Sequence, residues 1–272
     1  MELTILVDNA AESQALQAEH GLAILISGPG KKLLFDTAAS CDALLQNARS
    51  LGVDLADVEA SVISHGHSDH TGALAAVVRQ RPGLKIYANP SAFLRRWAEK
   101  PGRPLKDVSC PHSPTALCQW GAVLHSVKAP ERLTDWLVLS GPVGGPKHGK
   151  ETFVVRKGDE MVVDGFEDEL FCLVQGQRGW AVVTGCCHRG LENTLRAAKF
   201  LGRGRPIEAI VGGLHLRNAD KAELRATVEL LKKYGSPELH PCHCTGREAT
   251  AFLAAQLPGC VHPASAGTKL VF

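Results

Sequence analysis

Apolar and polar positions along this chain fall into short alternating bursts separated by longer stretches with apolar residues every third or fourth place. Residues 2–7, 22–27 and 32–36 are strand-like runs, with Gly28-Pro29-Gly30 a turn signal between the second and third. Residues 43–51 carry apolar side chains at helical spacing, and Gly52 stands where that helix ends. A strand at 58–63, a helix at 72–79, a strand at 84–88 and a helix at 90–100 follow. The order β-β-β-α-β-α-β-α predicts mixed α/β layers.

From 101 to 150 the pattern loosens among scattered prolines, with short strands predicted only at 122–127 and 136–139. This stretch reads either as a surface insertion or as a lid over a site. Alternation returns at 169–175 and 180–184, joined by Gly176-Gln177-Arg178-Gly179 as a hairpin. Helices at 191–201, 221–234 and 248–257 and strands at 206–211, 238–241 and 269–272 complete the expectation of one α/β domain over 1–272.

Composition narrows the function classes. The 272 residues, 44% hydrophobic, supply an ample core, and 30 basic against 28 acidic residues leave +2, no footprint for nucleic acid or an anionic membrane. No apolar run reaches the roughly 18 residues of a membrane span, and residues 1–8 lack a basic start and long apolar run, so a cytoplasmic protein acting on a small molecule is expected. Nine cysteines, an odd number, favour reduced thiols or metal contacts over a disulfide framework. The apolar end Leu270-Val271-Phe272 permits a homodimer.

The chemistry concentrates in Ile63-Ser64-His65-Gly66-His67-Ser68-Asp69-His70-Thr71-Gly72, a strand-to-helix corner. In extended chain His65 and His67 project to one side, and a turn brings Asp69 and His70 towards them. Imidazole and carboxylate are ligands of divalent zinc, iron or manganese, so four of them this close predict a metal site. His188, His215 and His243 each follow a predicted strand, and strand ends along one sheet edge are where α/β folds build sites. His112, His125, His148, His240 and His262 lack that setting and are read as ordinary, as is His20, although Gly21 beside it singles it out for closer inspection.

The run His65-Gly66-His67-Ser68-Asp69-His70 resembles the HxHxDH signature of the metallo-β-lactamase fold superfamily. Leu6-Val7-Asp8-Asn9, His20-Gly21-Leu22, Phe35-Asp36-Thr37, Thr184-Gly185-Cys186-Cys187-His188, Gly212-Gly213-Leu214-His215 and His243-Cys244-Thr245-Gly246 are similar to one of its branches. That branch includes dihydropterin-6-methyl-4-(ribofuranosyl)aminobenzene 5'-phosphate synthases and metal-dependent hydrolases. The resemblance implies an αββα sandwich of two mixed sheets flanked by helices. It implies a first metal on His65, His67 and His188 and a second on Asp69, His70 and His215, with Asp36 supporting them and Asp8 and His20 beside them. Cys186 stands where a bridging aspartate is usual, and a thiolate there favours zinc. His243 is either a substrate contact or the last ligand in place of His215.

One or two zinc ions, or iron or manganese, would then serve hydrolysis of an ester, amide or phosphoester, with Asp69 orienting the attacking water or taking its proton. Two alternatives remain open. One is a transferase resembling the synthases, with Lys147, Lys150 or Arg156 receiving phosphate. The other is a non-catalytic metal or redox sensor built on Cys186, Cys187, Cys242 and Cys244.

Overall fold

The computed structural model describes residues 1–146 and 152–272; Lys147, His148 and Lys150 lie outside the described residues. Two large sheets form the centre. The first runs, in spatial order, Lys269–Val271, Glu2–Val7, Ala23–Gly28, Lys31–Phe35, Ala60–Val62, Lys85–Ala88 and Val123–Ser126. The second runs Glu238–Pro241, Ile207–Gly212, Trp180–Thr184, Cys172–Gln175, Leu137–Leu139 and Glu131–Thr134.

Strand periodicity turns this order into layers. Leu3, Ile5, Ile24, Ile26 and Phe35 of the first sheet meet Leu137, Cys172, Val174, Ala181, Val183 and Val211 of the second in one buried cluster. The alternate residues face outwards. Leu6, Leu25, Leu34 and Ile86 pack under the helices Cys41–Ser50 and Leu74–Gln80, and Leu173, Val182, Ile210 and Leu239 pack under Leu191–Leu201, Lys221–Lys233 and Arg247–Gln256. The expected αββα order is therefore met.

Strand direction places the site. Lys31–Phe35, Ala60–Val62 and Lys85–Ala88 are parallel neighbours, as are Trp180–Thr184, Ile207–Gly212 and Glu238–Pro241. Their carboxyl ends release the loops that carry Asp36, the His65 corner, Cys186 to His188, His215 and His243.

The middle of the chain departs from the sequence reading. Residues 90–100 hold only a short 3-10 turn, Pro90–Phe93, capped by Asn89, and then a strand, Arg96–Glu99. That strand joins a third, four-stranded sheet in the order Glu160–Val163, Thr152–Lys157, Arg96–Glu99, Lys106–Asp107. A pairing across more than fifty residues overrides the local helical spacing. Helix Pro114–Gln119 and strand Glu131–Thr134 were likewise unpredicted, so much of the loose stretch builds sheet edges. The helix expected at 72–79 is split into Ser68–Thr71 and Leu74–Gln80. Among the described residues no helix is long and apolar enough to cross a membrane.

Candidate metal centre

After Ala60–Val62 the chain enters the corner with His65, His67 and His70 all buried. The His65 and His67 rings stand 4.6 Å apart. Gly66 between them has no room for a side chain: a Cβ there would lie 1.9 Å from the Ala92 carbonyl oxygen and 2.3 Å from Arg96 Nη1. Its amide donates to Asp168 Oδ2 at 2.8 Å. Thr71 Oγ1 donates to the His67 carbonyl at 2.8 Å, closing the short turn that swings Asp69 and His70 round.

Asp36 then sets two imidazoles at once. Its Oδ2 accepts from His70 Nδ1 at 2.6 Å and from Ser64 Oγ at 2.7 Å, and Ser64 Oγ lies 2.9 Å from His65 Nδ1. With both Nδ1 atoms engaged, the Nε2 atoms of His65 and His70 are left to face the centre. Gly185 makes this contact possible, since a Cβ there would sit 2.1 Å from Ser64 Oγ.

His243 is oriented the same way from the other sheet. Its Nδ1 pairs with Asn9 Oδ1 at 3.0 Å, its amide donates to Asp8 Oδ1 at 2.6 Å, and its Nε2 points to His70 Nε2 at 3.2 Å. Asp69 Oδ2 lies 3.5 Å from His243 Nε2, 3.8 Å from His70 Nε2 and 3.2 Å from His20 Nε2. His188 is carried by a loop whose amides, from His188 and Arg189, donate to buried Glu169 at 2.5 and 2.6 Å. Phe166 stacks on the His188 ring at 3.9 Å, and Phe153 of the third sheet lies 4.8 Å from His67.

Among the described residues the donor atoms fall into overlapping groups that could hold an ion. In one, the donor atoms of His65, His67 and His188 lie within 4.8 Å of one another; in another, those of His20, Asp69 and His243 do. Cys186 touches both regions, grouping with His65 and His70 and with His243 and Cys244, and its Sγ is 3.2 Å from His70 Nε2. The sequence grouping put His215 with Asp69 and His70. In the structure His215 stands against His188, ring centres 4.2 Å apart, and groups with Cys186 and His188, while His243 occupies the side of Asp69 and His70. Chain order does not separate the two, because both loops follow parallel neighbouring strands of the second sheet, Ile207–Gly212 and Glu238–Pro241.

Of the four thiols weighed for a sensor, Cys186 and Cys244 join these groups, whereas Cys187 faces Thr194 at 3.3 Å. All nine cysteines are free thiols. The sequence reading missed Ser64, Asn9, Glu169 and the Arg96, Asp164 and Asp168 cluster. Asp168 and Glu169, adjacent acids at the start of the alternating run 169–175, were the available signal. Asp36, Cys187, His215 and His243 hold left-handed φ angles of 57°, 62°, 54° and 52°, a strain of about 1 kcal/mol or more each that the surrounding contacts must outweigh.

The chemistry of the donor set fits a divalent cation. His65 Nε2 and His67 Nε2 are buried without a hydrogen-bond partner, which for a polar atom costs about 1–3 kcal/mol unless something satisfies it. Burial pushes Asp69 upward, but His70, His243, His67 and His20 outweigh it and hold the carboxyl well below the usual range.

Electrostatics also predicts a pH response. Burial drives His67 down from 6.5 to about 3, with Asp69 opposing and Arg96 and His70 assisting, and burial lowers His65 likewise. A histidine whose folded pKa lies below its unfolded value contributes stability that is present above the unfolded pKa and lost as pH falls towards the folded one. Metal-free protein is thus expected to lose melting temperature as pH falls from 6.5 towards about 3. Thermal melts at stepped pH check this, and a flat profile would contradict it. His70 acts oppositely: burial lowers it, Asp36 and Asp69 raise it to about 9, and its share is lost only as pH rises from 6.5 towards that value.

Paired imidazole sets beneath the carboxyl ends of two facing sheets define a class of metal-binding fold. Residues 16–188 match the family model described as the metallo-beta-lactamase superfamily, and the chain belongs to that superfamily. Among curated relatives it is 27% identical to the 7,8-dihydropterin-6-methyl-4-(beta-D-ribofuranosyl)-aminobenzene-5'-phosphate synthase of Methanocaldococcus jannaschii over 257 residues, 90% of this chain and 87% of that protein. Among solved structures it resembles Tm1679, described as a metal-dependent hydrolase of the beta-lactamase superfamily, at 27% identity and TM-score 0.84, covering 100% of this chain and 99% of that one. Zn(2+)-bound PqqB from Methylobacterium extorquens, 13% identical with TM-score 0.63 and covering 100% of both chains, shares the fold.

Proposed function

We propose that the chain is a metal-dependent hydrolase of a small ester, amide or phosphoester. The observation that carries the reading is the pair of buried, unpartnered Nε2 atoms of His65 and His67 beneath the ionised Asp69 carboxylate. His65, His67 and His188 would hold one ion, and Asp69, His70 and His243 would hold a second if present, with Cys186 between them. Zinc suits this mixture of imidazole, carboxylate and thiol, with iron or manganese the alternatives. A bound ion of this type supplies Lewis acidity and lowers the pKa of water.

The chain's own groups do the rest. Asp69 orients the attacking water, and exposed His20, 3.2 Å from that carboxylate, offers the proton a route to solvent. Phe153 and Phe166 wall the imidazoles from bulk water, and the third sheet flanks the site. Dialysis against a chelator is expected to abolish turnover across a panel of phosphoester, lactone and thioester substrates, and zinc to restore it. Metal-replete protein that hydrolyses no member of the panel would sink the reading.

The nearly full-length likeness to the synthase favours a second reading, transfer to an amine in place of water. An arylamine added to the assay would then appear joined to the substrate fragment in the product.

A further inference from the structure

The cavity above the metal centre holds about 190 Å³ and is lined by His20, His67, Asp69, His188, His215 and His243 at its base. Also lining it are Lys100, just after the third-sheet strand Arg96–Glu99, Lys106 of the strand Lys106–Asp107, and Arg217 from the loop after His215. Among the described residues that line it Asp69 is the one carboxylate, and it is already committed to histidines. The carboxylate next to Lys106, Asp107, pairs instead with Arg95. Among the described residues neither Lys100 nor Lys106 has an ion pair, and Arg217 is held to the His243 carbonyl by one long bond of 3.4 Å.

Cations without an ion pair among the described residues, standing around a concave site with low-dielectric walls, focus a positive potential into it. A second cavity of about 910 Å³ shares Arg217, Asn218 and His243 with the first. Its lining includes apolar Pro241, Ala251, Ala254, Pro263 and Ala264, with Arg247, Glu248 and Ser265 among the polar residues.

We propose that Lys100, Lys106 and Arg217 form an anion subsite that selects substrates bearing a phosphate-type group, with the organic remainder extending past Arg217 into the larger cavity. What is cleaved rests on the hydrolase reading; the anion subsite does not. Each lysine presents a mobile point charge and Arg217 a planar fork, a set suited to a tetrahedral oxyanion with several acceptor oxygens. Neutral esters gain nothing from it.

The first test is calorimetric titration of inorganic pyrophosphate into metal-loaded wild type and the Lys100→Ala/Lys106→Ala double variant, with metal content measured in both. Removing two charge-assisted contacts is expected to weaken binding about tenfold or more at unchanged metal content. Affinity should also fall as salt rises from about 50 to about 200 mM. No pyrophosphate binding by wild type, or equal binding by the variant, overturns the subsite.

With substrates, the double variant should raise KM for naphthyl phosphate while kcat and the turnover of neutral naphthyl acetate stay unchanged. Ala254→Phe should keep wild-type pyrophosphate affinity, which reports an intact fold, yet raise KM for naphthyl phosphate but not for methyl phosphate. An unchanged KM for naphthyl phosphate overturns the placement of the organic half. If pyrophosphate binding depends on the lysines but no ester is hydrolysed, the subsite stands and the hydrolase reading falls.

Discussion

Replacing His67 by alanine is expected to strip metal from the centre and to cut kcat/KM by about 10³-fold or more, beyond the 10–100-fold that loss of a supporting partner typically costs. His67 contributes one of three imidazole nitrogens that converge within 4.8 Å, and its Nε2 has no other partner to leave behind. Folding should survive, because the backbone contacts of the corner, Thr71 Oγ1 to the His67 carbonyl among them, do not use the imidazole. Elemental analysis alongside circular dichroism separates the outcomes. A folded variant with full metal content and full activity would mean that the centre lies elsewhere.

Arg96→Met should produce the largest loss of stability, about 3–5 kcal/mol, the usual cost of leaving buried charges uncompensated. Arg96 is buried, donates to Asp164 Oδ2 at 2.6 Å and forms an ion pair with Asp168 Oδ1 at 2.8 Å, both carboxylates equally enclosed. Asp168 in turn holds the Gly66 amide between His65 and His67, so metal retention should weaken with stability. The neighbouring Arg95, exposed and paired with exposed Asp107, is the control; Arg95→Met should cost about 1 kcal/mol or less. Denaturant midpoints of the two variants measure the contrast, and equal midpoints would contradict it.

The legibility of this fold follows contact range. The strands at 2–7, 180–184 and 238–241 and the helices at 191–201 and 221–233 match the sequence reading to within a residue, because each writes its own period into adjacent residues. Arg96–Glu99 does not, because its strand character comes from Thr152–Lys157 and not from its own spacing. The helical reading of 90–100 counted apolar positions correctly but had no view of the partner strand. The same blindness hid Arg96 itself, which reads as a surface cation until Asp164 and Asp168 are brought beneath Gly66.

Site residues divide along the same line. His65, His67, Asp69 and His70 are neighbours in the chain, so local geometry alone brings them to one corner, and Asp36 was marked by the Phe35-Asp36-Thr37 motif. Whether His215 or His243 stands beside Asp69 could not come from chain order, since both follow parallel strands of one sheet. The sequence by itself determined a mixed α/β chain, the donor types and the corner, all properties of residues a few positions apart, while the αββα order was implied by the motif resemblance. Only the tertiary structure decided which distant loop faces which, namely His243 towards His70, His215 towards His188, and Lys100 and Lys106 in the lining of the cavity. Those outcomes depend on how two sheets stack and on what a third sheet adds at their edge, and no short-range pattern encodes either.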